Sequence, residues 1–131
     1  MIKYQILTNN LMVKTAYEGK CKLTYKEIPC MELFLIVRDM VQRGYKLLTD
    51  IMGGCMRPNQ MFCRTVLMSL KPDSKVDSES ERIINSSLKT CKRFFPLKVY
   101  WPSRFTVDFQ EMDYAMISFI LDCLEESNRR R

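Results

Sequence analysis

The chain contains no histidine. That removes imidazole as a general base, as the partner of a nucleophilic serine or cysteine, and as a metal ligand. Long apolar runs are missing too: nothing approaches the ~20 residues that a membrane span needs. The opening residues, MIKYQILTNN, have neither the basic flank nor the apolar stretch nor the small-residue cleavage site of a secretion signal. No two cysteines have the C-x-x-C spacing. The six stand at positions 21, 30, 55, 63, 91 and 123, scattered through apolar segments. They read as reduced thiols, so the expected compartment is the cytoplasm. A four-cysteine zinc site would fit the count, but without close pairs no metal is expected. No motif asks for a cofactor, and no internal repeat is present.

What is there is enough for one core. The chain has 131 residues, of which 47% are hydrophobic. We read residues 1–128 as a single α/β domain and 129–131 as a basic C-terminal tail. The net charge of +6 is uneven. Residues 1–64 carry 10 basic and 5 acidic side chains, residues 65–128 carry 8 and 10, and Arg129 to Arg131 add three more positive charges. Without that tail the net charge falls to +3, ordinary for a domain of this size, which weakens a nucleic-acid reading based on overall basicity.

Periodicity gives the elements. Residues 2–8 and 21–28 alternate as strands, the second with lysines that suit a sheet edge. A short helix over 11–18 would turn Leu11, Met12, Ala16 and Tyr17 inward and end at Gly19. Pro29 opens a helix over 30–43 whose stripe is Cys30, Leu33, Phe34, Val37, Met40 and Val41, with Gly44 as its cap. Residues 45–48 predict a brief strand, 62–70 a strong one and 97–101 another short one. Ser78 with Glu81, and Asp108 with Glu111, have capping-box spacing, which predicts helices to about Phe94 and Glu126. The last of these would bury Met112, Ala115, Met116, Phe119, Ile120 and Leu124. Cys30, Cys63, Cys91 and Cys123 read as core residues, as do Tyr100 and Trp101. The sum is a three-layer sandwich, a short mixed or mostly parallel sheet of four to five strands with helices packed on it.

One stretch does not fit a plain scaffold. Between the 30–43 helix and the 62–70 strand lies a long connection containing Thr49, Asp50, Gly53, Gly54, Cys55, Arg57, Pro58, Asn59 and Gln60. Connections of this length are usually functional or disordered. The glycine pair either converges backbone N–H groups on an anion beside Arg57 or simply permits a tight turn. Asn9, Asn10 and Asn59 either orient a ligand or hydrogen-bond loop backbone and cap helices, and the second is the expectation. Arg38 and Asp39 either support the loop as an ion pair or form a solvated helix face. Cys55 beside Arg57 has a thiolate-favouring neighbour but no base. Ligands of open α/β sheets favour the carboxyl ends of strands, so Thr8-Asn9-Asn10 and the segment from Thr49 onward are expected to meet there.

The order of ILTNN at 6–10, RD at 38–39, GYKLLT at 44–49 and G-x-x-R-P-N at 54–59 resembles the GrdX family, associated with the glycine reductase system of amino-acid-fermenting anaerobes. The family pattern has histidines where this chain has Tyr45 and Asp50, a proline at Ile51, a serine at Cys55 and a glutamate at Gln60. The resemblance implies an accessory protein with reductase components as partners, binding a small anion or a protein through residues 49–60. Two other readings stay open: an enzyme in that loop with Asp50 as acid or base, and a nucleic-acid module using the basic N-terminal half.

Overall fold

Alternating side chains near the start of the chain build the central strand, β1 (Tyr4–Thr8). In the computed structural model, which describes residues 2–49, 64–94 and 103–130, it is followed by α1 (Leu11–Tyr17), β2 (Leu23–Tyr25), α2 (Cys30–Gln42), β3 (Thr65–Ser69), α3 (Ser78–Phe94) and α4 (Ser103–Arg129). The sheet order is β2-β1-β3. β2 is parallel to β1, with Ile6 opposite Leu23, and α1 makes the crossover that parallel strands require. β3 is antiparallel, with Thr8 opposite Thr65 and Tyr4 opposite Ser69, so the sheet is mixed.

Successive side chains of a strand point to opposite faces, and β1 and β3 divide accordingly. Leu7, Val66 and Met68 belong to a cluster with Leu33, Phe34, Val37 and Val41 of α2 and Ile84 and Leu88 of α3. Ile6 and Leu67 join Val13 of α1 with Ile117 and Leu121 of α4. Each fully buried side chain of this kind stabilises the fold by about 1.5–3 kcal/mol.

The four to five strands expected are three among the described residues. Residues 45–48 contribute one bridge, Leu47 to Met68, flanked by Leu48 N–H to Leu67 C=O and Ser69 N–H to Lys46 C=O, each at 2.8 Å. The ladder stops because hydroxyls take over as backbone partners: Ser69 for Lys46 N–H, Ser80 for Leu47 N–H and Thr49 for Leu67 N–H. The expected 97–101 strand lies outside the described residues.

Three local readings also change. Asp77, not Ser78, caps α3, its carboxylate accepting from the Ser80 N–H and hydroxyl at 3.0 and 2.7 Å. Those bonds hold its pKa below the usual carboxylate range. α1 buries Val13, whereas Leu11 is exposed. α4 starts well before Asp108, so Asp108 and Glu111 sit inside the helix. Its buried stripe is Asp113, Ile117 and Leu121, while Met112 is 50% and Phe119 70% exposed. Pattern reading chose the more apolar face; the real one carries a carboxylate.

α2 ends in a Schellman motif: Gly44 N–H reaches Val41 C=O and Tyr45 N–H reaches Met40 C=O. Gly44 has φ +103°, and a Cβ there would collide with the Asp73 carbonyl. Gly19, at φ +83°, faces open space. Gly44→Ala should therefore cost more than about 2 kcal/mol, and Gly19→Ala nearer 1 kcal/mol. Urea unfolding of the two variants checks the difference.

Candidate functional site

At the carboxyl end of β1 the side chains stop being apolar and form a buried polar cluster. Thr8 is fully buried, and its antiparallel partner Thr65 nearly so. Their hydroxyls lie 2.8 Å apart. Thr65 donates its hydroxyl to Asp113 Oδ2 at 2.7 Å and its N–H to Asp113 Oδ1 at 3.1 Å. Asn10 gives one amide hydrogen to Asp113 Oδ2 and one to the Gln110 carbonyl, both at 2.9 Å. Its Oδ1 accepts from Met12 N–H and caps α1, and its own N–H reaches the Thr8 hydroxyl. Asp113, on α4, is thus tied to both strands.

Asn9 does the same work one residue earlier. Its Oδ1 accepts from Arg64 N–H at 2.8 Å. Its amide nitrogen donates to the Ile28 carbonyl at 2.9 Å and approaches the Cys30 sulfur at 3.7 Å. The end of β1, the start of β3 and the first residue of α2 meet on this one side chain. Asn9 and Asn10 both bond backbone groups here, and Asn10 caps α1.

Arg64, only 3% exposed, stands where residues 50–63 rejoin the described chain. With Thr49, where that segment leaves, it lines a cavity of about 20 Å³ completed by Thr65, Asp113, Met116, Ile117 and Ile120. That volume holds roughly one water molecule. The guanidinium also acts on the thiols nearby. Burial pushes Cys30 up to about 12, against the lowering effects of Asn9 and Arg64. Burial likewise raises Cys91, and Arg64 again opposes it. Burial wins at both, so these are protonated thiols and not nucleophiles at neutral pH. Cys123, expected in the core, is exposed. Among the described residues no three His, Cys, Asp or Glu side chains gather into a metal site.

Of the residues singled out from sequence, Asn9, Asn10 and Thr49 lie in or beside this cluster. Asp50, Gly53, Gly54, Cys55, Arg57 and Asn59 fall outside the described residues, as do Cys63, Tyr100 and Trp101. Arg38 and Asp39 are neighbours on α2, and neighbours on a helix do not face each other. Asp39 is exposed, Arg38 is half-buried, and no ion pair joins them. Tyr45, where the family pattern has a histidine, packs against the α2–α3 cluster. Sequence reading missed Arg64, Thr65 and Asp113 as site residues. The only signal at Arg64 and Asp113 was a charge inside an apolar run, and Thr65 carried none.

Asp113→Asn would set an amide NH₂ against the Asn10 amide and the Thr65 hydroxyl. It should lower stability by about 1–3 kcal/mol, read as a fall in the urea midpoint with unchanged m. The raised Cys30 thiol gives a pH signature. The folded state keeps its proton longer than the unfolded chain does. The linked stability is therefore complete below the unfolded value of 9.0 and is lost as pH rises towards about 12. By pH 10 the loss from this group is on the order of 1 kcal/mol. Denaturation midpoints between pH 8 and about 10 should fall more steeply in the native sequence than in Cys30→Ala.

No curated protein and no solved structure matches the chain. A family profile described as GrdX-like protein matches residues 5–122, a span that takes in Thr8, Asn9, Asn10, Thr49, Arg64, Thr65 and Asp113. Covering most of the sequence and agreeing with the motifs at 6–10, 38–39, 44–49 and 54–59, that match makes the chain a member of the GrdX-like protein family.

Proposed function

We propose that this chain is an accessory protein of an amino-acid (glycine, betaine or sarcosine) reductase system, and that it binds a small anion where residues 49–60 meet the polar end of the sheet. The family name carries the context. The observation that carries the ligand class is Arg64, a permanent cation held in the interior at the rim from which that segment departs and returns. In such a place a charge-assisted bond to a carboxylate or an acyl phosphate is stronger than in water. Asn9 fixes the backbone of Arg64, so the guanidinium starts from a defined position. The cavity that the described residues enclose is about 20 Å³, room for roughly one water. The two apolar clusters, one with α2 and α3 and one with α1 and α4, support the three-layer arrangement expected from sequence. The proposed setting is the cytoplasm of an amino-acid-fermenting anaerobe. No helix among the described residues is long and apolar enough to cross a membrane.

The test is a thermal-shift series with glycine, betaine, sarcosine, acetate, inorganic phosphate and acetyl phosphate, joined to affinity capture from glycine-grown cells. At ten times its dissociation constant a true ligand adds about 1.4 kcal/mol, or roughly 3–8 °C for a domain of this size. Arg64→Met should abolish that shift. No shift with any of these compounds, and no reductase component captured, would refute the proposal.

A further inference from the structure

β2 lies at one edge of the sheet, since the strand order is β2-β1-β3. Its inner side is taken up by β1. Ile6 N–H reaches the Lys22 carbonyl at 2.9 Å, and Lys26 N–H reaches the Thr8 carbonyl at 3.0 Å. In a parallel ladder those bonds place the Thr24 backbone inward as well, and turn the N–H and C=O groups of Leu23 and Tyr25 outward. None of these four outward groups has a hydrogen-bond partner among the described residues. Such a row of donors and acceptors is a template for one more strand. The side chains along it are basic. Residues 20–26 contain Lys20, Lys22 and Lys26 and no acid. All three lysines are exposed, and Lys22 and Lys26 lie on one face with Thr24 by the two-residue period of a strand. On the other face Lys14 of α1 sits over the Tyr25 ring at 5.5 Å. The acids beside this edge are Glu18 at the end of α1, Glu27, and Glu32 at the start of α2. Among the described residues none of them is ion-paired with a lysine.

We infer that the outer edge of β2 docks an extended acidic segment of a partner protein, added antiparallel as a further strand. The unpaired backbone selects the class of occupant. An extended polypeptide supplies N–H and C=O groups at the matching spacing. A nucleic-acid strand supplies phosphate oxygens, which would meet the two N–H groups and leave the Leu23 and Tyr25 carbonyls without donors. The lysines select the charge. A second copy of β2, paired antiparallel about Thr24, would set Lys22 on Lys26, like charge on like charge. Edge lysines also discourage neutral strands, whereas an acidic strand gains two cross-strand charge pairs. Antiparallel pairing, the more stable kind, lets one partner residue exchange two bonds with Leu23 and another do so with Tyr25. The flanking partner residues then stand opposite Lys22 and Lys26. The segment recognised is therefore acidic at two positions four apart, with strand-forming residues between them. With only three residues in β2 the contact is weak and reversible. None of these side chains lines the Arg64 cavity, so this inference and the anion site stand or fall separately.

The probe is the end-blocked peptide Glu-Val-Thr-Val-Glu carrying a fluorophore, titrated with the full chain and followed by anisotropy. Half-saturation is expected between about 10 μM and about 1 mM. Methylating both valine nitrogens removes the donors to the Leu23 and Tyr25 carbonyls and should weaken binding about tenfold or more. Methylating the threonine nitrogen, which faces away from β2, should change it by less than about threefold. Lys22→Glu combined with Lys26→Glu should weaken the acidic peptide about tenfold and take up Lys-Val-Thr-Val-Lys in its place. Because both lysines are exposed, the urea midpoint of that variant should stay near the native one. No saturation by about 1 mM, or valine methylation without effect, would overturn the inference. So would an oligothymidylate bound more tightly than the peptide at the same salt, or peptide binding that fades as the chain dimerises. A charge exchange that fails would overturn the acidic motif.

Discussion

The carboxylate of Asp113 is the constraint on which the rest of the molecule depends. It is 2% exposed. Removing a charge from water is tolerable only where hydrogen bonds replace its hydration. Three donors do so here: the Thr65 N–H, the Thr65 hydroxyl and the Asn10 amide. Since those donors come from the start of β3 and the residue that opens α1, the carboxylate fixes how α4 lies against both. The rotation of α4 follows. With Asp113 inside, Ile117 and Leu121 must be inside as well, being on the same helical line. Met112 and Phe119, although more apolar than an aspartate, are then turned outward. A face chosen by hydrophobicity alone would have buried them and left the Thr65 and Asn10 donors without an acceptor. Each such orphan costs about 1–3 kcal/mol, comparable to what burying one large apolar side chain returns.

Thr8, Asn9, Arg64 and Thr65 extend this network along the end of the sheet. Antiparallel pairing puts the first residue of β3 beside the last of β1, so a chain that leaves at Thr49 and returns at Arg64 begins and ends at the same polar rim. Only the ends of the 49–64 connection are needed for that statement. The rim holds a buried cation, amides and hydroxyls, and burial keeps the nearby Cys30 thiol protonated. Tyr45 packs against the α2–α3 cluster.

Much of this was legible in the sequence, for identifiable reasons. The α2 stripe was read correctly in its essentials because it is regular and flanked by unambiguous punctuation, Pro29 before it and Gly44 after it. The strand at Thr65–Ser69 and the central strand were equally clear. The rim was found through a rule of topology, that strand ends gather ligands, and through ILTNN. Arg64 and Asp113 were hidden for one shared reason. A charge inside an apolar run lowers the apparent quality of the run, so a reader of patterns discounts it, and nothing local reveals that two such charges are neighbours in space. The strand at 45–48 was over-read because Lys46 and Leu47 N–H go to the hydroxyls of Ser69 and Ser80, residues distant in sequence, while Leu67 N–H goes to the Thr49 hydroxyl.

α4 supplies Asp113 to the inner rim and turns Phe119 outward. An anion at Arg64 can act on that outward face only by as much as its affinity differs between two placements of the helix. For such a difference to arise, α4 would have to rotate or slide. Its rotation is pinned by the Asp113 bonds and by the packed Ile117 and Leu121, and a close-packed interior yields in discrete rearrangements instead of small turns. The Asp113 bonds and the packed Ile117 and Leu121 thus fix which side of α4 faces the sheet.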